Sequence, residues 1–232
     1  MTIARLQSAK KEYQTGDTVV TALHRTDLEV QEGEVLLIIG PSGSGKTTLL
    51  SLLGCVIYPT EGTVVVDGRE LNRLNDRELA ALRLKVIGFV FQTYNLISPL
   101  TAEENVAFPL LLDGRISRKE ALGRAREALA KVNLSAKCRS LPRQLSSGEQ
   151  QRTAIARALV TDPAIILADE PTGNLDSQTG ESILGLLETL HRDEGRTIIL
   201  VTHDGGVAAR AGRILYLFDG MLDEANRSEP NQ

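Results

Sequence analysis

A short segment rich in glycine and serine carries the residues best suited to chemistry in this sequence of 232 amino acids. Residues 40–47 read Gly-Pro-Ser-Gly-Ser-Gly-Lys-Thr, which fits the phosphate-loop pattern G-x-x-x-x-G-K-[ST]. Glycines allow successive backbone N–H groups to wrap closely around phosphate oxygens. We expect Lys46 to reach the β- and γ-phosphates of a nucleotide and the Thr47 hydroxyl to ligate Mg²⁺. The predicted nucleotide contacts in this segment are Gly40, Pro41, Ser42, Gly43, Ser44, Gly45, Lys46, Thr47 and Thr48.

An acidic pair, Asp169-Glu170, follows the apolar run 164–168 and is the second candidate for chemistry. Ligands bind at the carboxyl ends of the strands in open α/β sheets, so both carboxylates are expected at that edge. We expect Asp169 to hold Mg²⁺ through water and Glu170 to act as the base that polarises an attacking water. An acidic pair commonly closes a strand, but after a phosphate loop in the same chain it predicts nucleotide hydrolysis.

The elements that must position these groups alternate between apolar runs of strand length and helical patterns. Residues 35–39 predict a buried strand before the phosphate loop, and residues 47–53 predict a helix after it. Further buried strands are predicted at residues 86–91, 164–169, 197–202 and 212–218. Residues 1–33 predict antiparallel strands, whereas residues 93–162 are mainly helical, with possible capping boxes at Thr101-x-x-Glu104 and Ser117-x-x-Glu120. The pattern predicts an α/β nucleotide-binding core with an all-helical insertion.

Composition narrows the class of protein. Hydrophobic residues make up 42% of the chain, which favours a folded core over disorder. The net charge of −4, with both signs interspersed, disfavours nucleic-acid binding. Cys55 and Cys138 lack metal-ligand spacing, and without a secretory signal they indicate a reducing cytosol. No apolar stretch approaches the ~18–20 residues needed to span a bilayer, so any membrane-spanning part is expected in a different chain.

A third motif, residues 145–149, lies between the first two and reads Leu-Ser-Ser-Gly-Glu. It is similar to the L-S-G-G-Q signature of ATP-binding cassettes, and the chain resembles the nucleotide-binding subunit of an ABC transporter over about residues 3–220. The resemblance implies an α/β P-loop NTPase fold, an ABC ATPase core with an antiparallel β-subdomain and an inserted α-helical subdomain. We expect one domain, with residues 1–92 and 163–222 as the core, 93–162 as the helical subdomain and 223–232 as a loose tail.

The same resemblance assigns roles to four further residues. It implies that Tyr13 stacks on adenine and that Gln92, at the junction with the helical subdomain, ligates Mg²⁺ or water. It also implies that His203 bonds the γ-phosphate as a catalytic residue, together with Lys46, Gln92 and Glu170, and that Asp176 lies in the D-loop beside the nucleotide. Strand packing for Tyr13 and a capping or core position for His203 remain alternatives. The implied metal ligands are Thr47, Gln92 and Asp169.

The signature departs from the family pattern at two positions. In the family, two subunits face head to tail, and each signature covers the γ-phosphate bound to the other subunit. The resemblance therefore implies nucleotide contacts from Ser146, Ser147, Gly148 and Glu149, with the Ser146 hydroxyl and the Gly148 N–H as donors. Ser147 replaces a glycine and crowds this approach if its backbone needs a positive φ, and Glu149 replaces a glutamine. Ser146-x-x-Glu149 is also an ordinary capping box.

The segments 88–96 and 168–176 and the opening 13–23 are similar to the lipoprotein-releasing and macrolide-exporter branch of the family. We therefore expect an ATPase that forms a homodimer around two Mg-ATP and drives a separate integral-membrane permease at the cytoplasmic face of the cell membrane. The expected permease contact lies near Tyr94, Leu96, Ile97 and Leu100, which are equally interpretable as core residues. The alternative function is a regulatory ATP-binding module that recruits a division or signalling partner with little turnover.

Overall fold

The structure, a computed structural model, describes residues 1–224, which form two β-sheets and six α-helices. The strands are β1 (Thr2–Thr15), β2 (Thr18–Gln31), β3 (Val35–Ile39), β4 (Glu61–Val66), β5 (Arg69–Glu70), β6 (Ile87–Phe91), β7 (Ile165–Asp169), β8 (Thr197–Thr202), β9 (Arg213–Phe218) and β10 (Met221–Glu224). The helices are α1 (Lys46–Leu53), α2 (Asp76–Val86), α3 (Ala102–Asp113), α4 (Arg118–Lys131), α5 (Ser147–Leu159) and α6 (Ser177–Glu194).

The smaller sheet is antiparallel, with the strand order β2-β1-β4-β5. A tight turn joins β1 to β2, and Gly16 in that turn has a φ of +61°. Asp67 and Gly68 connect β4 to β5 and both have positive φ, +51° and +69°, as a two-residue hairpin turn requires. These elements confirm the predicted antiparallel β-subdomain.

The larger sheet has the strand order β10-β9-β3-β8-β7-β6, and only the β9–β10 pair is antiparallel. Alternate side chains of a strand point to opposite faces, so Leu36 and Ile38 lie on one face and Leu37 lies on the other. All three are buried because both faces are covered. Helices α1 and α2 and the antiparallel sheet cover the first face, and helices α3, α4, α5 and α6 cover the second.

This strand order brings the predicted chemical groups to one edge. The parallel strands β3, β8, β7 and β6 are neighbours, so their carboxyl ends lie side by side. The phosphate loop follows β3, His203 follows β8, Asp169 ends β7 and Gln92 follows β6. The topology therefore assembles residues that are up to 163 positions apart in the chain.

The predicted elements match the observed ones, with differences at their ends. Thr101 and Glu104 form a full capping box on α3, whereas Ser117 on α4 accepts one bond from Glu120 N without the reciprocal one. Sequence analysis treats residues 223–232 as a tail, but Asp223 and Glu224 belong to β10 because they pair with β9. The rest of that segment, 225–232, lies outside the described residues. No helix within residues 1–224 has the length and apolarity needed to cross a membrane.

Candidate functional site

The loop 40–47 is built around three glycines at positions that disfavour a side chain. Gly43 and Gly45 have φ values of +80° and +101°, which side chains rarely adopt. A Cβ atom on Gly45 would lie 2.3 Å from the Ala22 carbonyl oxygen, and one on Gly40 would lie 2.1 Å from that of Leu217. The loop is therefore pressed between β2 of the antiparallel sheet and the end of β9.

The polar groups of the loop suit an anion. Lys46 is 6% exposed, and its Nζ donates to the carbonyl oxygens of Gly40 at 2.7 Å and Pro41 at 2.8 Å. The Ser44 hydroxyl oxygen is buried without a hydrogen-bond partner. Helix α1 begins at Lys46, so its unpaired N–H groups and positive dipole end face the same loop. A buried cation, an orphaned hydroxyl and a helix N-terminus together fit a phosphate group.

Asp169 lies beside the loop, with its Oδ2 3.5 Å from Thr47 Oγ1. Burial raises the pKa of Asp169, and the charge of Glu170 raises it further, while Lys46 and the Thr47 hydroxyl oppose both effects. A carboxylate beside a threonine hydroxyl is an oxygen-donor set of the kind that Mg²⁺ prefers. The pair therefore fits a magnesium ion that compensates the buried charge.

Glu170 is held in an unusual backbone conformation, with a φ of +44°. Its N–H donates to the Val201 carbonyl at 2.9 Å, which ties the residue to β8. Its Oε1 lies 3.1 Å from Nδ1 of His203, whose side chain is 62% exposed. The structure thus brings these two predicted catalytic groups together, and strained backbone of this kind is typical of active sites.

Gln92 lies beside the turn that follows Glu170. Asn174 Nδ2 donates to the Gln92 carbonyl at 2.9 Å, and a Cβ atom on Gly173 would lie 2.6 Å from Gln92 Nε2. The Gln92 amide is therefore directed at the 173–174 turn in this conformation. Farther along, Asp176 caps α6 by accepting from Thr179 N at 3.0 Å and from the Thr179 hydroxyl at 2.6 Å, and these bonds lower its pKa.

The signature, residues 145–149, lies at the start of helix α5, and Ser146 is the N-cap of that helix. Ser146 Oγ accepts from Glu149 N at 3.3 Å, and Glu149 Oε2 accepts from Ser146 N at 2.9 Å, which is the capping box that sequence analysis kept as an alternative. Lys137 lies 3.1 Å from Glu149, and the pKa of this carboxyl is lowered by the bond from Ser146 N first and by Lys137. Ser147 is the first helical residue and has no positive φ, so its side chain causes no backbone strain.

Two contacts fix the signature helix against the segment after Glu170. A Cβ atom on Gly148 would lie 2.5 Å from Thr179 Cγ2, so a larger residue there would displace the Thr179 side chain. Gln151 is fully buried, and its Nε2 donates to the Pro171 carbonyl at 2.7 Å. Gln151 was not among the predicted site residues, although an amide on the apolar face of a helix is a usable signal. Within the described residues, no hydrogen bond joins residues 145–149 to the loop 40–47 of the same chain.

Tyr13 lies at the exposed end of the β1–β2 hairpin. Its ring is 40% exposed, it pairs with Val20, and Lys11 Nζ lies 5.3 Å from the ring centroid. Ala22, two residues beyond Val20, contacts Gly45 of the phosphate loop. The β1–β2 hairpin that carries Tyr13 therefore borders the phosphate loop through Ala22.

A separate groove of ≈ 890 Å³ runs between α2, β6 and α3. Phe89 and Phe91, which stack with ring centroids 5.3 Å apart, line it together with Ile97, Phe108 and Leu112. Its other lining residues include six cations and one acid: Arg77, Arg83, Lys85, Arg115, Arg124, Arg157 and Asp113. Of the four residues expected at a permease contact, Ile97 lines this groove, whereas Tyr94, Leu96 and Leu100 do not.

The chain is similar in sequence and in fold to known proteins. Residues 23–173 match the family model described as ABC transporter. The ABC transporter ATP-binding protein MJ0796 of Methanocaldococcus jannaschii is 47% identical over 226 residues, 96% of each chain. Its structure as a dimeric ATP-binding cassette in a post-hydrolysis state, bound to ADP and Pi, has a TM-score of 0.87 and 46% identity, covering 96% of this chain and 99% of that one.

A second kind of relative is longer. The macrolide export ATP-binding/permease protein MacB of Mannheimia succiniciproducens is 44% identical over 232 residues, all of this chain but 36% of that protein. The predicted similarity to the macrolide-exporter branch is therefore confirmed, as is the predicted P-loop cassette fold. With a family model that matches residues 23–173, more than half of the chain, and near-complete alignment to MJ0796, the chain belongs to the ABC transporter family and is an ATP-binding subunit with an ABC ATPase domain.

Proposed function

We propose that this chain hydrolyses Mg-ATP as a homodimer and drives a separate membrane permease of the export or lipoprotein-release type. The observation that carries the proposal is the convergence of Lys46, Asp169, Glu170 and His203 at one sheet edge, with Glu170 and His203 3.1 Å apart. The contact between Thr47 and Asp169 at that edge supports a role in holding Mg²⁺, with Gln92 as the third ligand group. The same proposal includes stacking of Tyr13 on adenine and a position of Asp176 beside the nucleotide.

The proposed reaction is attack of water on the γ-phosphorus of ATP. The bond from phosphorus to the β,γ-bridging oxygen breaks, ADP leaves, and the proton of the water passes to Glu170 or to the phosphate. Lys46, the loop amides and His203 stabilise charge on the transferring group, and Mg²⁺ neutralises the phosphate oxygens. Glu170 orients the water, since β8 anchors its backbone N–H and the His203 imidazole holds its carboxylate.

The signature is proposed to act on the nucleotide of a second copy. The Ser146 oxygen accepts a bond from its own helix, which leaves its hydroxyl proton available to a phosphate oxygen. Lys137 compensates the charge of Glu149, and Ser147 has an unstrained helical backbone. Both departures from the family signature are thus compatible with pairing. MJ0796, which is dimeric in its solved structure, supports this arrangement by similarity.

The groove between α2, β6 and α3 is proposed as the permease-docking surface. Its apolar floor and excess of cations suit an amphipathic helix of the permease that carries apolar anchors and acidic residues. MacB relatives, which join ATP-binding and permease parts in one protein, support a partner of this kind. Docking would hold the chain at the cytoplasmic face of the membrane, with residues 93–162 moving as the helical subdomain against the core formed by 1–92 and 163–222.

The test is the solution mass of Glu170→Gln with and without Mg-ATP, measured by light scattering alongside the steady-state ATPase rate. We expect kcat to fall by at least about 10²-fold and a dimer to form only with Mg-ATP, because the trapped nucleotide bridges two copies. Glu127→Gln, which changes an exposed glutamate on α4, is the matched control and is expected to behave like the wild type. A monomer that binds ATP would contradict the homodimer, and a wild type without turnover would support the regulatory module instead.

A further inference from the structure

Gln151 places an amide on the buried face of helix α5, five residues after the N-cap Ser146. Its side chain is fully buried, and its Nε2 donates to the Pro171 carbonyl at 2.7 Å. Its Oε1 is buried too, and within the described residues no donor is bonded to it. A buried oxygen without a partner lowers stability, so packing alone would favour an apolar side chain at this position. The bond to Pro171 is therefore what accounts for an amide here.

The carbonyl that Gln151 holds lies one residue beyond Glu170. The Glu170 backbone has a φ of +44°, its N–H donates to Val201 O at 2.9 Å, and its carbonyl accepts from Gly173 N at 3.0 Å. Pro171 is buried and its ring restricts φ, so the chain between the two carbonyls has little freedom. A shift of the Pro171 carbonyl is therefore transmitted to the Glu170 backbone.

The amide of Gln151 is also rigidly connected to the signature. Gln151 lies in the helical turn that follows the capping box, about 7.5 Å along the helix axis from Ser146. The first backbone bond of the helix joins these turns, since Gln150 N donates to Ser146 O at 2.8 Å. The signature and Gln151 therefore move together as one end of α5.

Two further contacts join this end of α5 to α6. Gly148 packs directly against Thr179, and Arg152 Nη2 donates to Ser182 Oγ at 2.6 Å. Both partners lie on α6, beyond the segment that follows Glu170. The Gln151 bond differs from these two contacts because its acceptor is the residue directly after that glutamate.

We propose that Gln151 is a positioning residue that couples Glu170 of one nucleotide site to the signature that serves the other site. Nucleotide and Mg²⁺ bound beside Glu170 shift the Pro171 carbonyl, and the Gln151 amide carries this shift to residues 146–149 of the same chain. The orphaned Oε1 fits such a role, because a shifted segment can bring a donor to it. In a homodimer each copy contains the link, so each site responds to the other. The inference rests on the proposed function, because it concerns the signature and the glutamate of that dimer.

The test is amide hydrogen exchange of the chain with and without Mg-ADP, in the wild type and in Gln151→Met. ADP lacks the γ-phosphate that the signature of a second copy would cover, so the measurement reports the link within one chain, and light scattering checks that the protein is monomeric. We expect Mg-ADP to slow exchange at residues 146–150 of the wild type by about two- to tenfold, the range that one neutral hydrogen bond contributes to an equilibrium constant. In Gln151→Met this change should disappear while the affinity for ADP stays the same. No change in the wild type, or an equal change in the variant, would overturn the proposal.

Two controls separate this coupling from general stability. Gln150→Met makes the same substitution one position earlier, in an amide whose Nε2 donates to Leu145 O, and is expected to keep the effect of Mg-ADP. Asn105→Ala removes another fully buried amide, bonded to Ile97 N and Ile97 O, and is expected to lower the Tm and to keep the effect. A loss of the effect in Asn105→Ala would show that the readout follows stability, and the proposal would fail. Gln151→Leu is the second variant at the position itself and should lose the effect as Gln151→Met does.

A second measurement keeps this inference distinct from the proposed function. In the Glu170→Gln background, Gln151→Met is expected to weaken Mg-ATP-dependent dimerisation by about two- to tenfold per signature, because the signature is no longer positioned. Dimerisation that Gln151→Met leaves unchanged would contradict the coupling while the homodimer stands. If Glu170→Gln does not dimerise but Mg-ADP changes exchange at residues 146–150 through Gln151, the link within the chain stands and the homodimer fails.

Discussion

At the scale of single residues, the site contains a buried carboxylate and a strained backbone, both of which lower the stability of the fold. Glu170 has a left-handed backbone, which costs of order 1–3 kcal/mol, and Asp169 carries a carboxylate whose charged form is disfavoured by burial and by its neighbour. Val201 of β8 accepts a bond from the Glu170 N–H, and Thr47 of the phosphate loop contacts the Asp169 carboxylate. The arrangement favours binding of Mg²⁺ at the expense of stability in its absence.

Asp169→Asn is therefore expected to stabilise the nucleotide-free protein at about pH 7 while abolishing Mg-ATP hydrolysis. A carboxyl whose pKa is raised on folding lowers stability once the pH exceeds that raised pKa, and the penalty disappears as the pH falls to the ordinary value. Differential scanning calorimetry should show a higher Tm for Asp169→Asn, by about 2–4 °C for each kcal/mol relieved.

The difference between Asp169→Asn and the wild type should shrink as the solution is acidified, because the wild-type carboxyl is then protonated as well. Asp193→Asn is a suitable control, since Asp193 is exposed and its one ion pair within residues 1–224 is with its neighbour Arg192. An equal gain in Tm from both substitutions, or a gain that does not depend on pH, would contradict the burial argument.

Local spacing allowed most candidate residues to be predicted, and long-range contacts explain the rest. Lys46, Thr47 and Asp169 follow from motifs of a few residues next to strands. Gln151 and Arg157 could not be predicted in this way, because their partners are distant in the chain. Gln151 donates to Pro171, 20 positions away, and Arg157 donates to Asn95, more than 60 positions away.

At the scale of elements, apolar runs predicted the buried strands well because both faces of the larger sheet are covered. The edge strand β10 was missed, since Met221–Glu224 has no strong pattern and forms only through its pairing with β9. The Thr101 capping box was predicted in full, because both partners lie within one helical turn. Asn105, fully buried in α3, was not predicted to organise the segment before that helix, where it accepts from Ile97 N at 2.7 Å.

Two glycine substitutions, one in the phosphate loop and one inside a helix, are expected to have opposite effects on stability. Gly45→Ala is expected to abolish ATP binding and to lower the Tm, because its φ is +101° and the new Cβ would lie 2.3 Å from Ala22 O. Gly123→Ala is the matched control, since Gly123 lies inside α4 with no atom within 4 Å of the new Cβ. We expect it to stabilise the protein by about 0.5–1 kcal/mol. Isothermal calorimetry with ATP and thermal unfolding would measure both, and retained ATP binding in Gly45→Ala would contradict the fit of the loop.

At the scale of the whole molecule, charge is unevenly distributed. The chain carries a net charge of −4, yet cations prevail in the groove between α2, β6 and α3. Four of them have internal partners: Arg83 donates to Cys55 O, Arg115 pairs with Asp113, Arg124 pairs with Glu120, and Arg157 donates to the carbonyl oxygens of Tyr94 and Asn95. Lys85 is exposed, and within the described residues it forms no ion pair, so its charge is available to a partner. A positive groove in an acidic protein favours acidic partners.

Lys85→Glu is therefore expected to weaken binding to native membranes that contain the permease by about three- to tenfold, because an attractive charge becomes a repulsive one. Co-sedimentation at low and high salt would measure it, and the wild type should lose binding as salt screens the groove. Lys119→Glu makes the same change in net charge on the exposed face of α4, outside the groove, and is expected to bind like the wild type. Equal losses in the two variants would show that net charge alone governs binding, and no loss in either would place the docking surface elsewhere on the molecule.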